Sequence, residues 1–254
     1  DEIFGGYDTY AADQLARRLA AVVPNGAVSI LASLVGFLPP SERKKGLLNK
    51  TKRFVQGIAD EPGDIAHYRW MSFLPVAAKQ GLYTRELQST LADSDVYRPI
   101  RESLGSAGTD DLLHRQLYAD LCVYLADDIL VKVDRMSMAT SLETRAPFLD
   151  VKLMELAYSI PSKFKIRHGE RKYILKQALR DVLPAEILRR RKEGFSIPMK
   201  NWLKKDLSPV MHDLLAPERI RRRGWFSPVV VARLMERHLA GRDNNAHVLF
   251  SLMV

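Results

Sequence analysis

The sequence predicts a mainly α-helical fold, on three grounds. Apolar residues recur at helical spacing along most of the chain, strand signals are sparse, and no strand–glycine-loop–helix unit with a GxGxxG fingerprint is present. With 254 residues, 46% hydrophobic and 27% charged, the chain suits one large domain or two small ones. Its balance is that of a globular protein, not a disordered one.

The elements follow in order. From about Thr9 to Val22, Leu15, Leu19 and Val22 share a helical stripe, which predicts that this stripe faces inward. The run Ala27 to Leu38 is mostly apolar but broken by Ser29, Ser33 and Gly36. It is shorter than the ~20 residues a membrane helix needs and reads as a buried helix. Ser41 caps a helix ending near Ile58, and Pro62 opens another through Ala66 and Trp70. Asp110 to Leu125 carries Leu113, Leu117 and Leu121 on one stripe and reads as a long core helix. Asp150 is the N-cap for Lys152 to Tyr158, and Pro161 stops that helix. Ser227-Pro228 is a cap with a first-position proline, ahead of a stripe of Val231, Leu234, Met235 and His238. Lys163 to Ile166 reads as a short extended piece, whereas Val28 to Leu31 is too mixed to assign. No linker divides the chain. The change of character falls in Pro184 to Trp202, which is basic and contains a Gly-Phe-x-x-Pro loop.

Composition narrows the function classes. The single cysteine, Cys122, rules out a disulfide framework and a cysteine-based zinc cluster. Its apolar neighbours predict a core thiol, and a single unpaired cysteine fits the cytoplasm. The net charge of +9 calls for an anionic partner or a basic surface. Two clusters concentrate it, Arg189-Arg190-Arg191-Lys192 and Arg221-Arg222-Arg223. They read as a solvated face, a nucleic-acid contact or a polyphosphate contact.

Four segments carry chemistry. In Asp1-Glu2-Ile3-Phe4-Gly5-Gly6-Tyr7, two acids precede a double glycine. Acids at a turn can hold Mg²⁺ and glycines let backbone approach a phosphate, although a terminal acidic pair is more often surface charge. The stretch from Asp127 to Asp150 alternates charged and apolar residues without a period, which predicts a partly buried charge network. Glu143 and Arg145 would brace each other in a loop there. In His168 to Lys176, Gly169 precedes a helix with a stripe of Ile174, Leu175, Ala178, Leu179 and Val182. Lys172, in its first turn, would add a full charge to a helix end that already favours anions, while Lys176 is solvated. Arg191-Lys192-Glu193-Gly194-Phe195 reads as a phosphate-closing loop or a surface turn anchored by Phe195.

Together these segments resemble the synthetase domain of the glutamine-dependent asparagine synthetase family. In that family a Ser-Gly-Glu-Gly-x-Asp-Glu-x-Phe-Gly-Gly-Tyr segment lines the ATP site, and Asp1 to Tyr7 is similar to its second half. Val133-Asp134-Arg135-Met136-Ser137-Met138-Ala139 through Glu143-x-Arg145-x-Pro147-Phe148-Leu149-Asp150 resembles the family's most recognisable block. Arg171-Lys172-Tyr173-Ile174-Leu175-Lys176 is similar to the segment with its catalytic lysine. Arg191-Lys192-x-Gly194-Phe195-x-x-Pro198 with Trp202 resembles its closing motif. The family's Ser-Gly-Gly-x-Asp-Ser pyrophosphatase loop and the catalytic N-terminal cysteine of its glutaminase domain are absent from the sequence, and both would lie upstream of Asp1.

The resemblance implies that residues 1–254 are the C-terminal portion of such a synthetase domain. They would be the helical remainder of an α/β fold of the adenine-nucleotide α-hydrolase type, with its parallel sheet mostly upstream. It implies ATP and Mg²⁺, an acyl-adenylate and release of AMP and pyrophosphate. The acceptor carboxylate is aspartate by default, and ammonia comes from an upstream glutaminase domain. Lys172 is implied as catalytic, Asp1 as the Mg²⁺–pyrophosphate ligand, and Arg191 and Lys192 as phosphate contacts. Asp134, Arg135, Glu143 and Arg145 would frame the pocket. A homodimer is compatible with it, and the isolated chain is expected to be inactive. Three rival readings stand beside it. One is amidation of another carboxylate such as a sugar acid, or β-lactam closure. The second is a basic helical nucleic-acid module, disfavoured because the basic clusters lack interleaved aromatics. The third is an inactive interaction fragment.

Overall fold

The computed structural model describes residues 1–22, 54, 65–69, 71–74, 76–190, 194 and 197–254. The expected helix from Ser41 to Ile58, apart from Phe54, and the Ala27–Leu38 run, Pro62, Trp70, Arg191 and Lys192 lie outside the described residues. Described residues are mostly helical, with a single two-stranded sheet. No helix among them is long and apolar enough to cross a membrane. The chain divides into two compact units, one of residues 1–22, 61–67 and 96–193, the other of residues 23–60, 68–95 and 194–254.

In the first unit, Asp111 caps the helix Leu112–Ala119 by accepting the His114 N–H at 2.9 Å. Leu113 and Leu117 are buried as expected, packed with Tyr10 and Ile166. The helical path does not stop near Leu125. It widens into a π-helix over Asp120–Leu130 and returns to α over Val131–Met138. Within the π-helix, Asp120 and Leu125 are buried and five residues apart, so they share the inward face. Cys122 falls between them and is exposed, which corrects the expectation of a core thiol.

The helix Asp8–Ala20 forms where expected but with the opposite face inward. Leu15, Leu19 and Val22 are 50%, 37% and 82% exposed, while Tyr10 and Asp13 are buried. Partners explain the reversal. The Tyr10 hydroxyl donates to Asp120 Oδ2 at 2.5 Å, and Asp13 Oδ2 accepts from Gln116 at 2.7 Å and Arg17 at 2.8 Å. Polar groups satisfied in this way can be buried, and hydrophobic periodicity alone cannot show it.

Asp150 caps the helix Val151–Ser159 as expected, accepting the Leu153 N–H at 3.2 Å. Lys163 to Ile166 is not extended throughout, since Ser162–Lys165 is a helical turn after Pro161. Ile166–Arg167 then pairs antiparallel with Glu170–Arg171. The connecting His168 and Gly169 have φ of 51° and 80°, the left-handed pair that a two-residue hairpin demands. Gly169 therefore turns a hairpin, and the helix begins later, at Tyr173–Ala178. Val182 lies outside it and is 72% exposed.

The second unit packs the helices Met199–Lys204, Ser208–Leu214, Pro217–Arg223, Pro228–Leu239 and Ala246–Met253. Its core is apolar, built from Leu82, Met199, Leu203, Met211, Leu215, Ile220, Val231, Ala246, Leu249 and Leu252. The predicted stripe is confirmed, with Val231 and His238 fully buried and Leu234 and Met235 packed beside the core. Ser227 opens its helix without a side-chain capping bond. The Arg221-Arg222-Arg223 cluster closes the helix Pro217–Arg223, where cations favour the C-terminal dipole. Arg223 donates to the Leu252 carbonyl at 2.8 Å. That cluster therefore serves its own unit.

Candidate functional site

The first seven residues form a tight turn whose closure is set by the Gly6 N–H donating to the Asp1 carbonyl at 2.8 Å. Ile3 and Phe4 anchor it, buried against Ala157 and packed with Met154, Ile174 and Leu175. The Phe4 ring also meets Phe148 edge-on at 6.3 Å between centroids, tying the turn to the segment Pro147–Leu149. Gly5 has φ of 66°, and a Cβ there would stand 3.0 Å from Ile166 Cγ1, so glycine is required twice over.

Lys172 arrives from the hairpin in the left-handed conformation, φ 54° and ψ 31°, immediately before the helix Tyr173–Ala178. A lysine in this region costs ~1–2 kcal/mol, so surrounding contacts must hold it. They do. Its Nζ lies 2.5 Å from Asp1 Oδ1, and its neighbour Arg171 donates to the Gly6 carbonyl at 3.0 Å and pairs with Asp8. Lys172 is thus the residue before the helix, not part of its first turn. Gly6 sits at the crossing point, because an added Cβ would overlap both the Asp1 carboxylate and the Lys172 stem.

Glu2, beside Asp1, is buried and accepts the Tyr7 hydroxyl. Burial first, and Glu2 second, hold that phenol well above its ordinary range, so it remains a donor. Beneath this layer, Asp120 Oδ2 also meets His67 Nε2 at 3.1 Å, and His67 stacks on Tyr10 with centroids 4.9 Å apart. Lys165 is fully buried with its ammonium 4.8 Å from the Tyr158 ring centroid. Burial pushes that amine down to about 8.

The other expected site residues are placed differently. Asp134, Arg135, Glu143 and Arg145 are exposed, so the partly buried network expected for this stretch is not formed by the described residues. Short sequence separation lets Glu143 and Arg145 pair with each other in the loop, as expected, with 69% and 84% of their side chains exposed. Lys176 is not simply solvated but pairs with Glu170 at 2.9 Å. Sequence reasoning gave no role to the buried Tyr10–Asp120–His67 group or to Lys165. Acidic, histidine and tyrosine positions far apart in sequence leave no local pattern to read.

Asp1 supplies a hard carboxylate oxygen, the donor type Mg²⁺ takes, usually with one or two carboxylates plus phosphate oxygens. Among the described residues no group of three or more His, Cys, Asp or Glu could hold a metal without such a ligand. A single carboxylate of this kind fits Mg²⁺ that takes its other ligands from phosphate oxygens and water.

Over residues 1–254 the chain matches the family model described as asparagine synthase, and it belongs to that family. It is 27% identical over 255 residues to asparagine synthetase (glutamine-hydrolyzing) 1 of Bacillus subtilis, covering 100% of this chain and 38% of that protein. It is 29% identical over 259 residues to a putative asparagine synthetase (glutamine-hydrolyzing) of Mycobacterium tuberculosis, covering 100% of this chain and 37% of that one. It is also 24% identical over 272 residues to amidase chyE of Penicillium rubens, covering 96% of this chain and 38% of that protein. The chain thus spans less than two fifths of the length of these relatives. No solved structure matches it.

Proposed function

We propose that this chain is the later, helical part of an α/β synthetase domain that amidates a carboxylate at the expense of ATP, with the parallel sheet mostly upstream. The observation that carries the reading is the Asp1–Lys172 pair at 2.5 Å over a glycine that leaves no room for a side chain. A substrate carboxylate attacks the α-phosphorus, pyrophosphate leaves, ammonia attacks the acyl carbon, and AMP departs. Both steps gather negative charge on phosphate or acyl oxygens, so a preorganised cation is the effective catalyst. Lys172 supplies that cation, already desolvated in part and held by Asp1 and by the Arg171 contact to the Gly6 carbonyl. Mg²⁺, when bound with the nucleotide, would neutralise charge on the pyrophosphate, with Asp1 as its ligand. Arg191 and Lys192 would add phosphate contacts. Asp134, Arg135, Glu143 and Arg145 would frame the acceptor pocket, linked to the turn through Phe148.

Aspartate is the default acceptor and ammonia from glutamine the nitrogen source, in keeping with the names of the bacterial relatives. A different carboxylate is the second reading, since one relative matched over 96% of this chain is named an amidase and not an asparagine synthetase. The test is Lys172→Ala in the full-length protein. ATP–pyrophosphate exchange should fall below detection while glutaminase activity persists. Undiminished exchange would remove Lys172 from the chemistry.

A further inference from the structure

A cleft of about 430 Å³ opens between the helix Tyr173–Ala178 and the helix Ala185–Arg189. It is lined by Lys176, Arg180 and Arg189 against one carboxylate, Glu170, with Gln177, Ala185 and Leu188 completing the walls. This volume suits a small ligand. Glu170 is engaged by Lys176 at 2.9 Å, which keeps the acid from repelling an incoming anion. Among the described residues Arg180 pairs with its neighbour Asp181, at 3.7 Å with both side chains largely exposed, and such a pair contributes little. Arg189 stands across the cleft on the other helix. A guanidinium fork from the turn after one helix and a second from the end of the other match the oxygens of a phosphate better than ammonium groups would. The half-buried Leu188 excludes water from one wall.

The cleft is also joined to the proposed reaction centre. Lys176 follows Lys172 by one helical turn, and its N–H donates to the Lys172 carbonyl at 2.9 Å. We propose that this cleft is a second anion site that binds inorganic pyrophosphate, holding it after it leaves the Lys172 centre. The preference for pyrophosphate over other phosphates rests on the adenylating reaction proposed above. The presence of an anion site rests on the cleft alone.

Calorimetric titration of inorganic pyrophosphate into the full-length protein tests it, and needs no turnover. Arg180→Ala with Arg189→Ala should weaken binding by about 10-fold or more, since two charge-assisted contacts are lost. Lys172→Ala should leave it within about twofold, and far-UV circular dichroism should show both variants folded. Binding should weaken as salt rises. No binding by the unaltered protein, or equal binding by the double variant, would overturn the site. Loss confined to Lys172→Ala would also overturn it, while leaving the role of Lys172 intact. Conversely, exchange that is indifferent to Lys172 would break the proposed reaction without touching the cleft. AMP is the control for ligand class. Equal affinity for AMP would overturn the assignment to pyrophosphate.

Discussion

The two units bury different things. Of the seven buried polar or charged residues among those described, Glu2, Asp13, His67, Gln116, Asp120 and Lys165 belong to the first unit. Only His238 belongs to the second, whose core is otherwise Leu, Met, Ile, Val and Ala. Burying a polar group costs stability unless it is paired, and pairing seldom does more than break even. An apolar core of equal volume would hold the first unit at least as well. Its polar interior is therefore better explained by what it positions, the Asp1–Tyr7 turn and Lys172, than by stability. The second unit shows how this chain builds a core when stability alone decides.

That contrast can be broken or sharpened by substitution. In the second unit, Leu203→Ala should have the largest effect on stability, a loss of about 2–5 kcal/mol in chemical denaturation, because Leu203 is fully buried in an apolar cluster. A loss below ~1 kcal/mol would mean that this core is not tightly packed. In the first unit, Lys165→Met should go the other way and stabilise by about 1 kcal/mol at pH 7. The reason is linkage. The folded amine sits at about 8, below the unfolded lysine value of roughly 10.4. Below pH 8 both states carry the proton and the full burial penalty is felt. Between pH 8 and roughly 10.4 the unfolded chain binds more protons, so the native protein gains stability as pH rises. The advantage of Lys165→Met should therefore shrink across that window, and stability curves parallel from pH 7 to pH 10 would rule out a depressed lysine. Smallest, Gly81→Ala in the helix Val76–Leu82 meets no atom of the described residues within 4 Å. It should stabilise the second unit by about 0.5–1 kcal/mol, read as a rise in melting temperature.

Much of this was legible in the sequence, and unevenly so. Caps and apolar stripes were readable where one local rule decided the outcome. Asp150 capped its helix, Leu113 and Leu117 faced the core, and Val231 to His238 formed the predicted stripe. The helix Asp8–Ala20 was turned over because the buried face, Tyr10 and Asp13, takes its partners from Asp120 and Gln116 more than a hundred residues away. The π-helix over Asp120–Leu130 has no periodicity signature, and it carried Cys122 outward. For the site, the motifs around Asp1 and Lys172 were visible as words. Their meeting was not, since it depends on a hairpin turned by His168-Gly169 and on the space left at Gly6.

Gly6 offers the most direct test of the central claim, because it distinguishes the site from the scaffold at one atom. Gly6→Ala adds a methyl group where the Asp1 carboxylate and the Lys172 stem now meet. ATP–pyrophosphate exchange by the full-length Gly6→Ala protein should fall by about 100-fold or more, the cost of displacing a catalytic group by an ångström. Circular dichroism should be unchanged. Exchange within a few-fold of the unaltered protein would contradict the account, because the Asp1–Lys172 pair could then be parted without consequence.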